Sequence, residues 1–522
     1  MIGGLAHPAT RDREGHVIGP GKTPAAVWIL TVAMGLLTLT WSLLTPQFLA
    51  PDESAHFAST MRVSQGFSWP APGEARYPAA VEAAQEQARV AHDERTAYSR
   101  LLAEHPGDGT RVDQMTQHPP LYYLITGALS ALPGVQNMTW DSIMFLARSL
   151  GALFAAPLVW LAWSAVGTLL KSRRAGIVAA LAVFGVPQLP QTMGVITNDS
   201  LAILLSWTAT WLAIRVICGD RRLATVLLLG AAFGAASFTK GTVLPLGALV
   251  VVAPFMGRAL PTHRRRWIDA GIVTVVAFVL GGWWWARNLI VFRRLQPDGL
   301  GLESSAPAVV PAPSLGHYID EVWNTTPTTF WGWFGRVNVP LPEPIVDFLT
   351  VSCLLLIVAG LVIRRDNRGP AVALALPIAL GVTLFVATSW AAYDTTGQVR
   401  GLHGRYFFTL MLALLALAAI AATNLARERA GRRALSFSIT LIAAMLAVGG
   451  PGVAFLGFYA ENTYGLWRAG VNLWVGAYSP MPAWFTIAVP TAFVVTLAAA
   501  VTVAWIHRTD GLRLHTSRRT TA

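Results

Sequence analysis

Charge is what this sequence has least of. Asp, Glu, Lys and Arg make up 13% of its 522 residues, against 54% hydrophobic residues. Soluble domains carry about a quarter charged residues, so the shortage argues against a water-soluble enzyme. The hydrophobic excess excludes a disordered chain. Cysteine is nearly absent: Cys218 and Cys353 lie far apart inside apolar runs. That excludes a disulfide framework and a Cys-based metal site, and leaves both as small packing residues. No internal repeat or low-complexity tract stands out. Acidic residues are outnumbered by basic ones, giving a formal net charge of +12. On a soluble chain that excess would suggest nucleic acid or an anionic surface. On a chain this apolar it is read first as topology.

What the sequence has instead is long apolar runs. A bilayer core of about 30 Å needs roughly 20 apolar residues in helix. That ruler selects twelve segments, at about 26–46, 140–168, 175–193, 200–217, 223–239, 243–258, 268–287, 344–363, 370–390, 406–424, 434–452 and 484–506. They predict an all-α, polytopic transmembrane helical bundle. PPLYYLITGALSALP, residues 119–133, is too short to span and reads as a helix lying in the interface. Residues 1–25 read as a polar tail with Arg11, Arg13 and Lys22. The apolar run after it is too long for a cleavable signal and is expected to stay as an anchor. Residues 26–506 then form one transmembrane domain, and 507–522 a second tail.

Basic runs test the count. KSRR (171–174), Asp220-Arg221-Arg222, HRRR (263–266), RRDNR (364–368), RERAGRR (427–433) and the terminal SRR all follow even-numbered segments. The positive-inside rule calls that side cytoplasmic, so both termini are expected there. The outward segments keep a slight acidic excess. Three are long: 47–139, which carries the charge-rich, helical-looking VEAAQEQARVAHDERTAYSRLLAEH; 288–343, with FWGWFGRVNVPLPEP; and 453–483, with FYAENTYGLWRAGVNLW. The 20 tryptophans, many at segment ends, match an aromatic belt better than a nucleic-acid platform. No nucleic-acid partner is expected.

Ionisable groups at membrane depth are costly, which makes each one a candidate for function. The densest cluster is FLAPDESAHFAS, with Asp52, Glu53 and His56. With a helix begun at Pro51, Asp52 and His56 share a face and Glu53 points elsewhere. The pair of carboxylates with a nearby His suits a general base, or a divalent metal such as Mg or Mn held by Asp52, Glu53 and His56. An acidic first turn that complements the helix dipole is the competing reading. Further candidates sit at other outer ends: His118 with Tyr122 and Tyr123; Thr197-Asn198-Asp199, also readable as an N-cap; Lys240; Arg287, also readable as snorkelling; and Gln398, Arg400, His403, Arg405 and Tyr406. Cations there suit a phosphate or diphosphate, and a carboxylate suits proton abstraction from a hydroxyl.

PDExxH, HPPLYY, TND, TKGT, WxxRN, WGxFG and GRYF, in this order, resemble a bacterial family of predicted membrane proteins placed in the GT-C glycosyltransferase superfamily. The resemblance runs from about residue 45 to about 410. It implies an inner-membrane enzyme that takes a sugar from a polyprenyl-phosphate carrier on the outer face. The acceptor it implies is a cell-envelope glycan or a lipid. It assigns Asp52, with Glu53 second, the role of catalytic carboxylate and puts His118 beside the site on a juxtamembrane helix. It gives Lys240, Arg405 and Arg287 the donor phosphate and lines the cavity with Asp199. A membrane transporter or flippase, or a non-catalytic partner in polysaccharide export, stays open on the residues alone. A transporter would more often show internal repeats and broken helices near the midplane.

Overall fold

The structure, a computed structural model, describes residues 22–256, 262–299, 313–363, 368–426, 428–460 and 467–516. Most of the expected N-terminal tail, four residues of RRDNR, Arg427, the end of the C-terminal tail and parts of the second and third outward segments lie outside the described residues.

A backbone in hydrocarbon must satisfy its own N–H and C=O groups, so apolar segments of this length fold as helices. Helix α1 (Ala25–Leu44) leads into the first outward segment. That segment holds α2 (Glu53–Ser64), β1 (Arg76–Pro78), α3 (Ala79–Glu86), α4 (Tyr98–Glu104), β2 (Asp108–Val112) and α5 (Leu121–Ser130). Next come α6 (Trp140–Leu169), α7 (Arg173–Ala182), α8 (Gln188–Met193), α9 (Asp199–Ile217), α10 (Leu223–Ser237) and α11 (Gly247–Val252). Helix α12 (His263–Ala277) continues through a π-turn at Phe278–Gly282 into α13 (Trp283–Phe292). Helix α14 (Leu315–Trp331) and the two-residue strands β3 (Trp333–Phe334) and β4 (Val339–Pro340) precede α15 (Glu343–Ile363) and α16 (Arg368–Thr396). Then follow α17 (Met411–Leu425), α18 (Arg429–Tyr459), α19 (Trp467–Asn472) and α20 (Ala483–Thr516). Strands β1 and β2 pair antiparallel, Arg76 opposite Val112.

The chain is thus an all-α, multi-pass bundle. Among the described residues, nine helical stretches are long and apolar enough to cross a membrane. The expected segments at 223–239 and 243–258 form shorter apolar helices, Leu223–Ser237 and Gly241–Phe255. The one expected at 175–193 is broken into α7 and α8, because Pro187 and Pro190 have no backbone N–H to continue a helix. HPPLYY opens a ten-residue helix, α5, too short to span. The amphipathic stretch from 81 to 105 is not one helix. It breaks between α3 and α4 into two 3-10 turns, where Arg95 is drawn inward to Asp141 (2.7 Å) and to the carbonyl of Val90 (3.0 Å). Pairing that arginine outweighs continuing the helix.

Helix α1 packs against α6 and α20, with Leu30, Met34, Leu37 and Trp41 fully buried. The described basic runs gather at the end of the bundle where α6 and α9 finish and α10, α12 and α18 begin. There Asp269 holds Arg265 (2.9 Å) and Arg221 (3.4 Å), and Asp220 holds Arg215 and Arg222. The other end carries Asp52.

Helix α6 passes α8 with no room for a side chain: a Cβ on Gly151 would lie 1.7 Å from the carbonyl oxygen of Met193. Gly151→Ala forces the two backbones apart. It should cost about 1–3 kcal/mol, read as a lower thermal midpoint in detergent. Gly271→Ala, which meets nothing within 4 Å, should be neutral or stabilising in the same assay.

Candidate active site

Four backbone segments meet at the Asp52 end: the close of α1, the start of α9, the turn after α10, and the 3-10 stretch Gly404–Leu410 before α17. Helices α2 and α5 lie across them, joined by a Thr60–Thr126 hydroxyl pair at 3.0 Å.

Asp52 precedes α2 in the left-handed region, φ 59° and ψ 5°, and its side chain makes no cap bond to the helix. Its hydrogen bonds go elsewhere. Oδ2 accepts from Arg405 Nη2 and Oδ1 from Gln114 Nε2, both at 3.1 Å. The side chain is 42% exposed, while that of Arg405 is 9% exposed. Arg405 Nε is buried without a hydrogen-bond partner. Beside this pair lies a second, Lys240 Nζ on Asp199 Oδ1 at 2.7 Å, both buried. The ring of Tyr406 stands between the two cations, 5.7 Å from Lys240 and 5.8 Å from Arg405. Gly404 lets this turn press on α14. Its N–H donates to Thr329 Oγ1 at 2.7 Å, and a Cβ there would sit 2.2 Å from the Thr326 carbonyl oxygen.

Glu53 turns the other way. It is fully buried and takes the guanidinium of Arg148 in a fork, Nε on Oε1 and Nη2 on Oε2, each at 2.7 Å. Oε1 also accepts from the Ile196 N–H and Oε2 from the Phe48 N–H, both at 3.1 Å. Arg148 spends its other donors on the carbonyls of Ser42, Thr45 and Pro46. Every lone-pair direction of Glu53 is filled. Glu53 is therefore not a second carboxylate in the cavity of Asp52.

The remaining candidates divide. His56 Nδ1 shares a 2.8 Å hydrogen bond with the Tyr123 hydroxyl. The His118 carbonyl accepts from Trp69 Nε1 at 3.2 Å, while its own Nδ1 is buried and unpartnered. The Tyr122 hydroxyl accepts the Thr197 N–H at 3.1 Å. Asn198 precedes α9 without a side-chain cap bond, and its buried Oδ1 has no partner. Asp199 serves Lys240 rather than only its helix. Two candidates are not brought in. Gln398 is exposed and holds Arg400 at 2.7 Å. Arg287 rests over the Trp284 ring at 5.2 Å, on the wall of a cavity of about 350 Å³ that Trp69, Gln117 and Phe238 also line.

The trio Asp52, Glu53 and His56 does not fit a Mg or Mn ion. Glu53 is saturated by Arg148 and two amides, and His56 Nδ1 faces Tyr123. Among the described residues no three His, Cys, Asp or Glu side chains converge as a metal site.

Electrostatics sharpens the division of labour. Burial works to raise the Asp52 pKa, and the charges of Arg405 and Lys240 outweigh it, so the carboxyl stays below its usual range. Burial, then Lys240, pushes His56 and His118 down to about 3. Both imidazoles are neutral at physiological pH. Burial, then Arg405, brings His403 down to about 4. The cluster thus offers one half-exposed carboxylate as a proton acceptor and two cations for an anion, with uncharged donors and acceptors around them.

Three residues of this arrangement carried no flag in the sequence. Arg148 had a readable signal: it lies about two turns inside an apolar helix, where the positive-inside rule gives it no reason to be. Gln114 and Asp113 lie in an unremarkable loop. Asp113 caps the 3-10 turn that presents Gln114, accepting from the Met115 N–H at 3.0 Å and Ser59 Oγ at 2.8 Å.

This is a multi-pass helical membrane protein with a charged cluster gathered at one end of its bundle. The profile of the family described as predicted membrane protein (DUF2142) matches residues 36–415, and the chain belongs to that family. No curated protein matches it. Among solved structures it is similar to ArnT from Cupriavidus metallidurans in the apo state, at 16% identity and a TM-score of 0.46, over 91% of this chain and 75% of that one. The same protein bound to undecaprenyl phosphate gives 17% identity and a TM-score of 0.42, over 91% and 77%. The oligosaccharyltransferase from Archaeoglobus fulgidus in the apo form gives 13% identity and a TM-score of 0.45, over 87% of this chain and 58% of that one.

Burial pushes the Asp113 carboxyl up to about 6, against 3.8 for the free group. Between those values Asp113 is protonated in the folded protein and ionised in the unfolded chain, so its own contribution to stability falls as pH rises from about 4 through 6. Neutral His56, His118 and His403 act in the opposite sense and raise stability with pH, so the thermal midpoint in detergent should rise more steeply between about pH 4 and 6 in Asp113→Asn than in the wild type. An unchanged slope in the variant refutes the assignment.

Proposed function

We propose that this protein is a GT-C-type glycosyltransferase. It moves a sugar from a polyprenyl-phosphate carrier to a cell-envelope glycan or lipid on the outer face of a bacterial inner membrane. The observation that carries this reading is the pairing of a half-exposed Asp52 with Arg405, next to Lys240 on Asp199. A base for a hydroxyl and cations for a phosphate then lie in one place. Under the positive-inside rule the basic end of the bundle faces the cytoplasm, which sets the Asp52 end outward and both termini inside. Residues 26–506 act as the transmembrane domain, with 47–139 as its catalytic segment.

The chemistry is a single displacement at the anomeric carbon. The acceptor hydroxyl gives its proton to Asp52 as its oxygen forms the new bond to that carbon. The bond from the anomeric carbon to the carrier phosphate breaks, and its electron pair leaves with the phosphate. Configuration inverts. Lys240 and Arg405 hold the charge that develops on the leaving oxygen, where preset donors contribute most. Arg405 brings a planar fork and an unfilled Nε to that task, Lys240 a point charge. While Arg405 sits on Asp52 the carboxylate is a weak base. As the phosphate draws Arg405 away, the base strengthens when it is needed. Neutral His56 and His118, Tyr406 and Asn198 complete the walls. Glu53 takes no part in proton transfer.

In proteoliposomes supplied with polyprenyl-phosphate sugars, the wild type should transfer sugar. Asp52→Asn should lose about 10²–10⁴-fold in kcat. Full transfer by that variant removes Asp52 as base, and movement of substrate without chemistry replaces the enzyme by a transporter. Lys240→Ala should raise the donor KM, and an unchanged KM and kcat remove Lys240 from the phosphate site.

A further inference from the structure

The loop from the end of α1 to the start of α2 has two non-glycine residues with positive φ, Phe48 at 60° and Asp52 at 59°. For a bulky aromatic that conformation is a true outlier, and such strain persists only where the surroundings over-determine it. The surroundings here are unusually complete. The Phe48 N–H donates to Glu53 Oε2, its carbonyl accepts from Arg336 at 3.3 Å, and its ring stacks on Trp140 at 5.2 Å. Arg148 holds three carbonyls between Ser42 and Pro46 together with both oxygens of Glu53. Glu53 also takes the Ile196 N–H, three residues before Asp199. One buried ion pair therefore joins the last turn of α1, the strained loop, the start of α2, the first third of α6 and the residue before the TND segment. Asp52 is the residue next to Glu53, and its left-handed geometry depends on both ends of the loop being held.

We infer that Glu53 and Arg148 are positioning residues. They lock the backbone at 48–53 so that Asp52 faces Arg405 rather than open solvent, and they set how strongly Asp52 competes with a lipid phosphate for that arginine. This rests on the reading of Arg405 as a phosphate ligand. Neither residue touches substrate. Their effect passes through the Asp52–Arg405 contact, whereas a merely structural pair would act on binding whether or not that contact exists.

The test is a double-mutant cycle on the full-length protein in nanodiscs, with undecaprenyl phosphate as probe and its Kd as readout. Asp52→Asn frees Arg405 from a half-exposed carboxylate and should tighten binding by about 3- to 10-fold. Glu53→Gln should tighten it in the same direction in the wild-type background and change nothing further when added to Asp52→Asn. Arg148→Lys, which keeps the charge and loses the fork, should behave likewise. Glu53→Gln with Arg148→Gln replaces the ion pair by neutral groups of similar shape, a change that buried pairs often tolerate. That double variant guards against misfolding and should give the same Kd as Asp52→Asn. Equal effects of Glu53→Gln in both backgrounds, or loss of folded protein in all three variants of the pair, overturn the inference in favour of a purely structural role. No binding of the lipid phosphate by the wild type overturns the reading of the site, and this inference with it.

Discussion

A carboxylate removed from water needs a cation and a full set of hydrogen bonds, and the Asp52 end of this bundle is arranged around that requirement. Glu53 has Arg148, Asp199 has Lys240, and Asp141 has Arg95. Taking two charges out of water costs several kcal/mol per ion, recovered only with good geometry and further bonds. The most complete of these sets belongs to Glu53. Because Glu53 takes Arg148, the Phe48 N–H and the Ile196 N–H, and Arg148 in turn holds carbonyls at the end of α1 and just after it, satisfying one charge also fixes how those stretches meet. The elements that carry Asp52 and Asp199 are tied together by the demands of a residue that does not itself reach the cavity.

Much of the architecture was legible. Helices α1, α6, α9 and α18 follow from apolar runs that have few other ways to fold, and the short α5 follows from its length and flanking prolines. The boundaries that failed did so for stated reasons. Residues 175–193 are apolar enough to span, but hydropathy does not weigh the missing N–H groups of Pro187 and Pro190. The stretch from 81 to 105 has helical periodicity, yet Arg95 and His92 turn toward Asp141 (2.7 and 2.6 Å) and break it. A periodicity argument sees faces of one element and not a carboxylate waiting on another.

The cluster was legible in part. Asp52, His56, Asp199, Lys240 and Arg405 stood out as charges at segment ends, and the fold brings them together from residues more than 350 positions apart. Helical spacing already turned Glu53 away from Asp52, but it could not show that Arg148 and two amides occupy Glu53. The left-handed turn at 52 leaves Asp52 on Arg405 and Glu53 on Arg148. Arg287 and Lys240 were both assigned to a phosphate, Arg287 with snorkelling as its competing reading. One rests on a tryptophan beside a separate cavity, the other on a buried aspartate. Arg148 was overlooked because its significance lies in carbonyls about a hundred residues away in the chain.

The left-handed backbone at Asp52 also narrows what evolution can place there. Asp, Asn and Gly enter that region at little cost, whereas longer or branched side chains pay a steric penalty. Glutamate carries the same acid, but it meets the backbone cost and reaches one methylene further toward Arg405. In the proposed role, position 52 is therefore filtered twice, once for its acid and once for its shape. Of the two acidic side chains, aspartate is the one that backbone favours.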